Sequence, residues 1–151
     1  MKVTLAAINE FFKQKNVAVF GVSRTGKKFG NSVYRELKNK GYNVFAVNPN
    51  ADTIEDEKCY KGISELKDKV NSAVVAVNPK DTDSIVNELV QEGIKHIWMQ
   101  KGSETKKAIQ FCNQNGINVV YNQCVIMYLE PVEGFHKFHR TIYKIFGKAA
   151  R

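Results

Sequence analysis

The residues best suited to chemistry lie between Val17 and Tyr34, where Gly21, Ser23, Gly26 and Gly30 are interleaved with Arg24, Lys27 and Lys28. Val17 to Phe20 is a four-residue apolar run of the kind that forms a strand buried on both faces. Gly21 stops it where a side chain would block close approach to the backbone, and Asn31 or Ser32 can cap a helix running to about Asn39. A helix that starts directly after a strand presents unpaired N–H groups and the positive end of its dipole, which together attract a phosphate. Three cations add mobile positive charge at the same place. The glycines match neither Gly-x-Gly-x-x-Gly nor Gly-x-x-x-x-Gly-Lys-Ser/Thr. A phosphate cradle and a plain βα turn that needs glycine only to bend are both compatible with this stretch.

Other candidates are sparse. Cys59, Cys112 and Cys124 are odd in number and widely separated, which excludes a disulfide framework or a Cys-x-x-Cys metal site and fits a reducing cytoplasm. His96 opens an apolar strand and reads as structural. His136 and His139 stand three apart with no Glu or Cys at useful spacing, so no metal ligand is assigned. No Gly-x-Ser-x-Gly elbow or carboxylate pair stands out, and no catalytic residue is assigned either.

The elements that must position the glycine turn follow from apolar periodicity. Leu5, Ile8, Phe11 and Phe12 are at helical spacing behind Thr4, a candidate cap. After the first strand and its helix, Tyr42 to Val47 form a second strand, broken by Asn48-Pro49, and the polar run through Lys58 reads as a loop. Ala73 to Val77 is a third strand that ends in Asn78-Pro79. A helix from Asp81 to Glu92, a strand from Ile94 to Met99, a helix begun by Ser103 or Glu104, and a fifth strand from Ile117 to Tyr121 complete the alternation.

This pattern predicts an α/β fold, a three-layer, doubly wound parallel sheet of about five strands in an order such as 3-2-1-4-5. Ligands of such sheets bind outside the carboxyl ends of the strands, near the switch between the first and fourth. The turns at Gly21, Asn48-Pro49, Asn78-Pro79, Gln100-Gly102 and Asn122-Cys124 would then share one rim. Residues 1–134 read as this domain, and 135–151 as an added basic amphipathic C-terminal helix. There Phe135, Phe138, Ile142, Ile145 and Phe146 oppose Lys137, Arg140, Lys144, Lys148 and Arg151. Such a helix can bind a membrane surface or nucleic acid, or it would dock its apolar side on the domain or on a second copy in a homodimer.

With 151 residues, 43% hydrophobic and 25% charged, the chain is long enough for one domain with a sizeable core and unlike a disordered one. The net charge of +8 favours acidic partners, whether phosphorylated metabolites, nucleic acid or an anionic membrane surface. No apolar run approaches membrane-spanning length, and nothing after Met1-Lys2 resembles a signal peptide. A fold that takes NAD usually has Asp or Glu at the end of the second strand for the ribose; Asn48-Pro49 stands there instead.

Five strand-end turns in this order, Gly21-Val22-Ser23, Asn48-Pro49, Val77-Asn78-Pro79, Trp98-Met99-Gln100-Lys101-Gly102 and Asn122-Gln123-Cys124, resemble those of the small CoA-binding protein family. The same Rossmann-like module forms the N-terminal domain of the succinyl-CoA synthetase alpha subunit. The resemblance covers residues 12–130 and implies CoA or an acyl-CoA as ligand. By it, Gly21, Val22 and Ser23 contact the nucleotide phosphates, Asn48 and Pro49 border the adenosine end, and Val77, Asn78 and Pro79 form the wall beside it. Gln100, Asn122 and Cys124 stand nearer the pantetheine arm. Arg24, Lys27 and Lys28 are the cations suited to the three phosphate groups.

The chain departs from the family at Asn50-Ala51, where relatives often carry a lysine, and at Val125, where they often carry proline. Cys124 could form a mixed disulfide with a pantetheine thiol or serve only as packing. The synthetase's phosphorylatable histidine lies in a different domain, which this chain lacks, so the reading is of a binding module without catalysis of its own. An NADP-linked or other nucleotide-dependent enzyme is the alternative. A nucleic-acid-binding protein is disfavoured, because no interleaved aromatic and basic RNA motif is present.

Overall fold

A computed structural model of the chain describes residues 3–129. Within them α1 (Leu5–Phe12) is followed by β1 (Asn16–Phe20), α2 (Phe29–Asn39), β2 (Asn43–Val47), β3 (Thr53–Ile54) and β4 (Glu57–Tyr60). A short 3-10 turn, Ile63–Leu66, leads to β5 (Ser72–Val75), α3 (Pro79–Gln91), β6 (His96–Gln100), α4 (Lys106–Gln114), β7 (Asn118–Gln123) and a second 3-10 turn, Val125–Tyr128. The expected C-terminal helix over 135–151, with its histidine pair, lies outside the described residues.

Side chains alternate along β1 as the pleat requires. Val17 and Val19 join a core with Ile8 and Phe11 of α1 and Val33, Tyr34 and Leu37 of α2. Ala18 and Phe20 join the opposite core, with Val86 and Leu89 of α3 and Ala108 and Cys112 of α4. Two helical layers therefore enclose the sheet, and the three-layer doubly wound fold is present as expected. Burial pushes the Cys112 thiol up to about 12, so it stays protonated at neutral pH and packs as a small apolar core group.

The sheet has seven strands rather than about five, in the order β3-β4-β2-β1-β5-β6-β7. The polar run through Lys58, expected as a loop, instead carries β3 and the start of β4, a hairpin that ends at Tyr60 and whose outer strand is only two residues long. That hairpin also corrects the order. β4 pairs in parallel with β2 through Ala46–Cys59 and Val47–Tyr60, occupying the edge where the next major strand would have to lie for 3-2-1-4-5. The chain instead crosses back to the free edge of β1, where β5 pairs from Val17–Ser72 to Phe20–Val75. Counting the five major strands alone, the order is 2-1-3-4-5, and the topological switch falls between β1 and β5, the first and third.

Thr4 caps α1 as predicted, its side chain accepting the Ala7 N–H. The cap of α2 is Lys28, neither Asn31 nor Ser32, and it offers no side-chain bond. Asn78 caps α3, with Pro79 as its first residue, so the second Asn-Pro breaks a strand and starts a helix in one step.

Candidate functional site

The turn after β1 is shaped by two close approaches. Gly21 has φ +102°, and a Cβ on it would lie 1.9 Å from the Ala76 carbonyl oxygen. A Cβ on Gly30, in the first turn of α2, would lie 2.3 Å from the Gly21 carbonyl oxygen. Glycine at both positions lets the end of β1, the start of α2 and the chain leaving β5 meet with nothing between them.

Ser23 is turned inward. Its N–H and hydroxyl both donate to Asn31 Oδ1, at 2.9 and 3.1 Å, and its carbonyl accepts from Asn31 Nδ2 at 3.0 Å. The turn leaves charge on its outer side. Arg24, Lys27 and Lys28 are exposed and make no ion pair among the described residues, and α2 begins beside them without a side-chain cap. Uncapped N–H groups, the dipole and three exposed cations make this a place attractive to a phosphate.

Beside that turn a cleft of about 540 Å³ opens at the ends of β1, β2 and β5. Five expected residues meet in it: Gly21, Val22, Asn48, Pro49 and Val77. The Asn48 side chain bonds at both ends, Nδ2 donating to the Val22 carbonyl at 3.0 Å and Oδ1 accepting the Asn50 N–H at 2.8 Å. It thus ties the first two strand-end turns together, and it presents no carboxylate to a ribose. The Val77 carbonyl accepts the Ser103 hydroxyl at 2.7 Å, fixing the third turn to the fourth.

The remaining expected residues do not line the cleft. Ser23, Arg24, Lys27 and Lys28 are on the turn that leads away from it, and Asn78 and Pro79 start α3. Gln100 is 6% exposed, with Oε1 accepting the Val125 N–H at 3.0 Å. Asn122 is exposed at φ +57°. Cys124 is a half-buried free thiol packed on the α1–α2 face, whereas Phe20, Val47 and Val77 of the cleft belong to the α3–α4 face. Among the described residues no group of histidines, cysteines and carboxylates could hold a metal.

The other wall of the cleft was missed from sequence. Asp81, Ser84, Ile85 and Glu88 of α3 line it, together with Lys61 and Gly62. The four α3 residues fall at i, i+3, i+4 and i+7, a helical stripe whose mixed polarity was the available signal. Lys61 Nζ bonds the Asp52 carboxylate at 2.8 Å and the Ala51 carbonyl at 3.0 Å. That hydrogen bond, with the ammonium charge behind it, holds the Asp52 carboxyl below its usual range.

Sequence and fold agree with a known family. Residues 15–130 match the CoA-binding domain family, and the chain belongs to it. Among curated relatives, the ADP-forming acetate–CoA ligase II of Archaeoglobus fulgidus is 33% identical over 128 residues, covering 77% of this chain and 19% of the ligase. The chain thus spans about a fifth of that enzyme's length. A conserved hypothetical protein of Pyrococcus furiosus is 34% identical with a TM-score of 0.70, covering 74% of this chain and 96% of that one. A hypothetical protein of Pyrococcus horikoshii is 28% identical with a TM-score of 0.79, over 87% and 94% of the two chains.

Proposed function

We propose that the chain binds coenzyme A or an acyl-CoA across the C-terminal ends of its parallel strands, as a binding module without catalysis of its own. The observation that carries the reading is the cleft between the ends of β2, β1 and β5, opening beside a turn that exposes Arg24, Lys27 and Lys28. The adenosine end fits the cleft, bordered by Asn48 and Pro49 and walled by Val77, with Asn78 and Pro79 behind it. The phosphates then meet the three cations and the start of α2. Because Asn31 occupies the polar groups of Ser23, the outer side of the turn supplies the donors. Neighbouring parallel strands lie about 4.8 Å apart, so the four steps from β2 to β7 give a rim of about 19 Å, suited to an elongated ligand. Along it the pantetheine arm runs toward Gln100, Asn122 and Cys124.

Thermal shift of the full chain with CoA, acetyl-CoA, NADP, ATP and a short RNA tests this. CoA at 100 times its dissociation constant is expected to add about 2.7 kcal/mol of stability. A shift with NADP but not CoA would instead favour the nucleotide-dependent enzyme. Arg24→Ala with Lys27→Ala is expected to weaken CoA more than dephospho-CoA; equal losses would remove both side chains from the 3′-phosphate.

A further inference from the structure

Asn31 is fully buried, at 0% exposure. Two donors and two acceptor lone pairs are all that an asparagine amide has, and here all four are used. Nδ2 donates to the Ser23 carbonyl and to Glu55 Oε2, each at 3.0 Å, and Oδ1 accepts both Ser23 protons. Since the Ser23 hydroxyl proton points at Asn31 Oδ1, the 3.0 Å contact between Ser23 Oγ and Thr25 Oγ1 is donated by Thr25. Thr25 Oγ1 in turn accepts the Lys27 N–H at 3.4 Å. One chain of bonds therefore runs from Glu55 through Asn31, Ser23 and Thr25 to the backbone of Lys27.

Arg35 adds a second link. Its Nη1 bonds Glu55 Oε2 at 3.1 Å, and its Nη2 reaches the Gly26 carbonyl at 3.5 Å. Residues i and i+4 share a helix face, so Asn31 and Arg35 hold both ends of the turn against one carboxylate oxygen. Glu55 stands there at a backbone cost. Its φ is +50° and that of Asp56 is +67°, the left-handed pair of a two-residue hairpin turn, where Asn-Gly is favoured. A strained residue whose side chain accepts bonds from both supports of the turn points to a task for that side chain.

We infer that Asn31, Glu55 and Arg35 are positioning residues, through which the tip of the β3–β4 hairpin clamps the phosphate turn and presents Arg24, Lys27 and Lys28 from a fixed backbone. The identity of the phosphate ligand rests on the CoA reading; the clamp itself does not.

The test combines amide hydrogen exchange on the ligand-free full chain with CoA titration at two salt concentrations. The variants are Asn31→Asp, Glu55→Asn and the double Asn31→Asp/Glu55→Gln. Glu55→Asn suits the left-handed backbone and keeps the fold, but its shorter side chain falls short of Asn31 and Arg35. Ser23 and Lys27 amides are expected to exchange faster in it. CoA affinity is expected to fall about tenfold as the turn must be ordered on binding, with a flatter salt dependence because the cations are no longer held together. Asn31→Asp removes both amide donors and sets a second carboxylate against Glu55; adding Glu55→Gln restores a donor and is expected to recover part of the protection. Unchanged Ser23 exchange in Glu55→Asn overturns the clamp. So does lost protection with CoA affinity and salt slope constant to within about twofold. If the wild-type chain takes up no CoA, the ligand reading fails alone, and the exchange data still decide the clamp.

Discussion

Gly21 and Gly26 both have positive φ, yet only one of them is hemmed in. A Cβ on Gly21 meets the Ala76 backbone, whereas nothing lies within 4 Å of one on Gly26. Gly21→Ala therefore combines a disfavoured dihedral with a backbone overlap and is expected to cost about 3 kcal/mol, against about 1 kcal/mol for the dihedral alone in Gly26→Ala. Urea denaturation of the two variants measures the difference; equal costs would mean that β1 and β5 do not approach as closely as described. At this scale the sequence was informative where residue type is dictated by backbone. Gly21, Asn48 and Val77 were legible as strand-end residues and do meet in one cleft. Asn31 was legible only as a cap, because its partners lie 8 and 24 positions away and no local pattern announces a side-chain bond of that range.

Among the elements, α1 is pinned to the far end of the sheet by polar contacts whose strength depends on pH. The Asn118 side chain donates to the Ala7 carbonyl at 3.0 Å and lies 3.3 Å from His96 Nδ1, which accepts only while the ring is neutral. Burial pushes the His96 pKa below its ordinary value, more than the nearby Glu10 charge raises it. The folded state therefore binds the proton less readily than the unfolded chain. The resulting stability is fully present above the unfolded value of about 6.5 and is lost as the pH falls through the folded pKa. Melting temperature is expected to drop from pH 7.5 to pH 5, with a shallower drop in His96→Gln; the same slope in both would remove His96 from the transition.

The major strands and helices were readable because short unbroken apolar runs alternate with segments of period 3.6. Lateral order was not, because periodicity carries no information about which edge a strand joins. The deciding element, the β3–β4 hairpin, is polar, and its two residues of β3 leave no periodic trace.

For the whole molecule, topology accounts for the site's location more than any single motif does. The crossing from β2 and its hairpin back to β5 opens the crevice between β1 and β5; the Asn48 tie and the α3 stripe line it, and the cationic turn leads away from its edge. A second cavity of about 520 Å³ lies between α3 and α4, lined by residues such as Asp83, Lys107 and Phe111, and offers an internal comparison. Among the described residues no helix is long and apolar enough to cross a membrane.

The most direct measurement is a titration of the isotopically labelled full chain with CoA, followed by amide chemical shifts. Saturable changes are expected at Gly21, Val22, Arg24, Lys27, Asn48, Gly62 and Val77, with Lys107 and Phe111 unmoved. No saturable change, or changes confined to the groove between α3 and α4, would contradict binding of CoA across the strand ends.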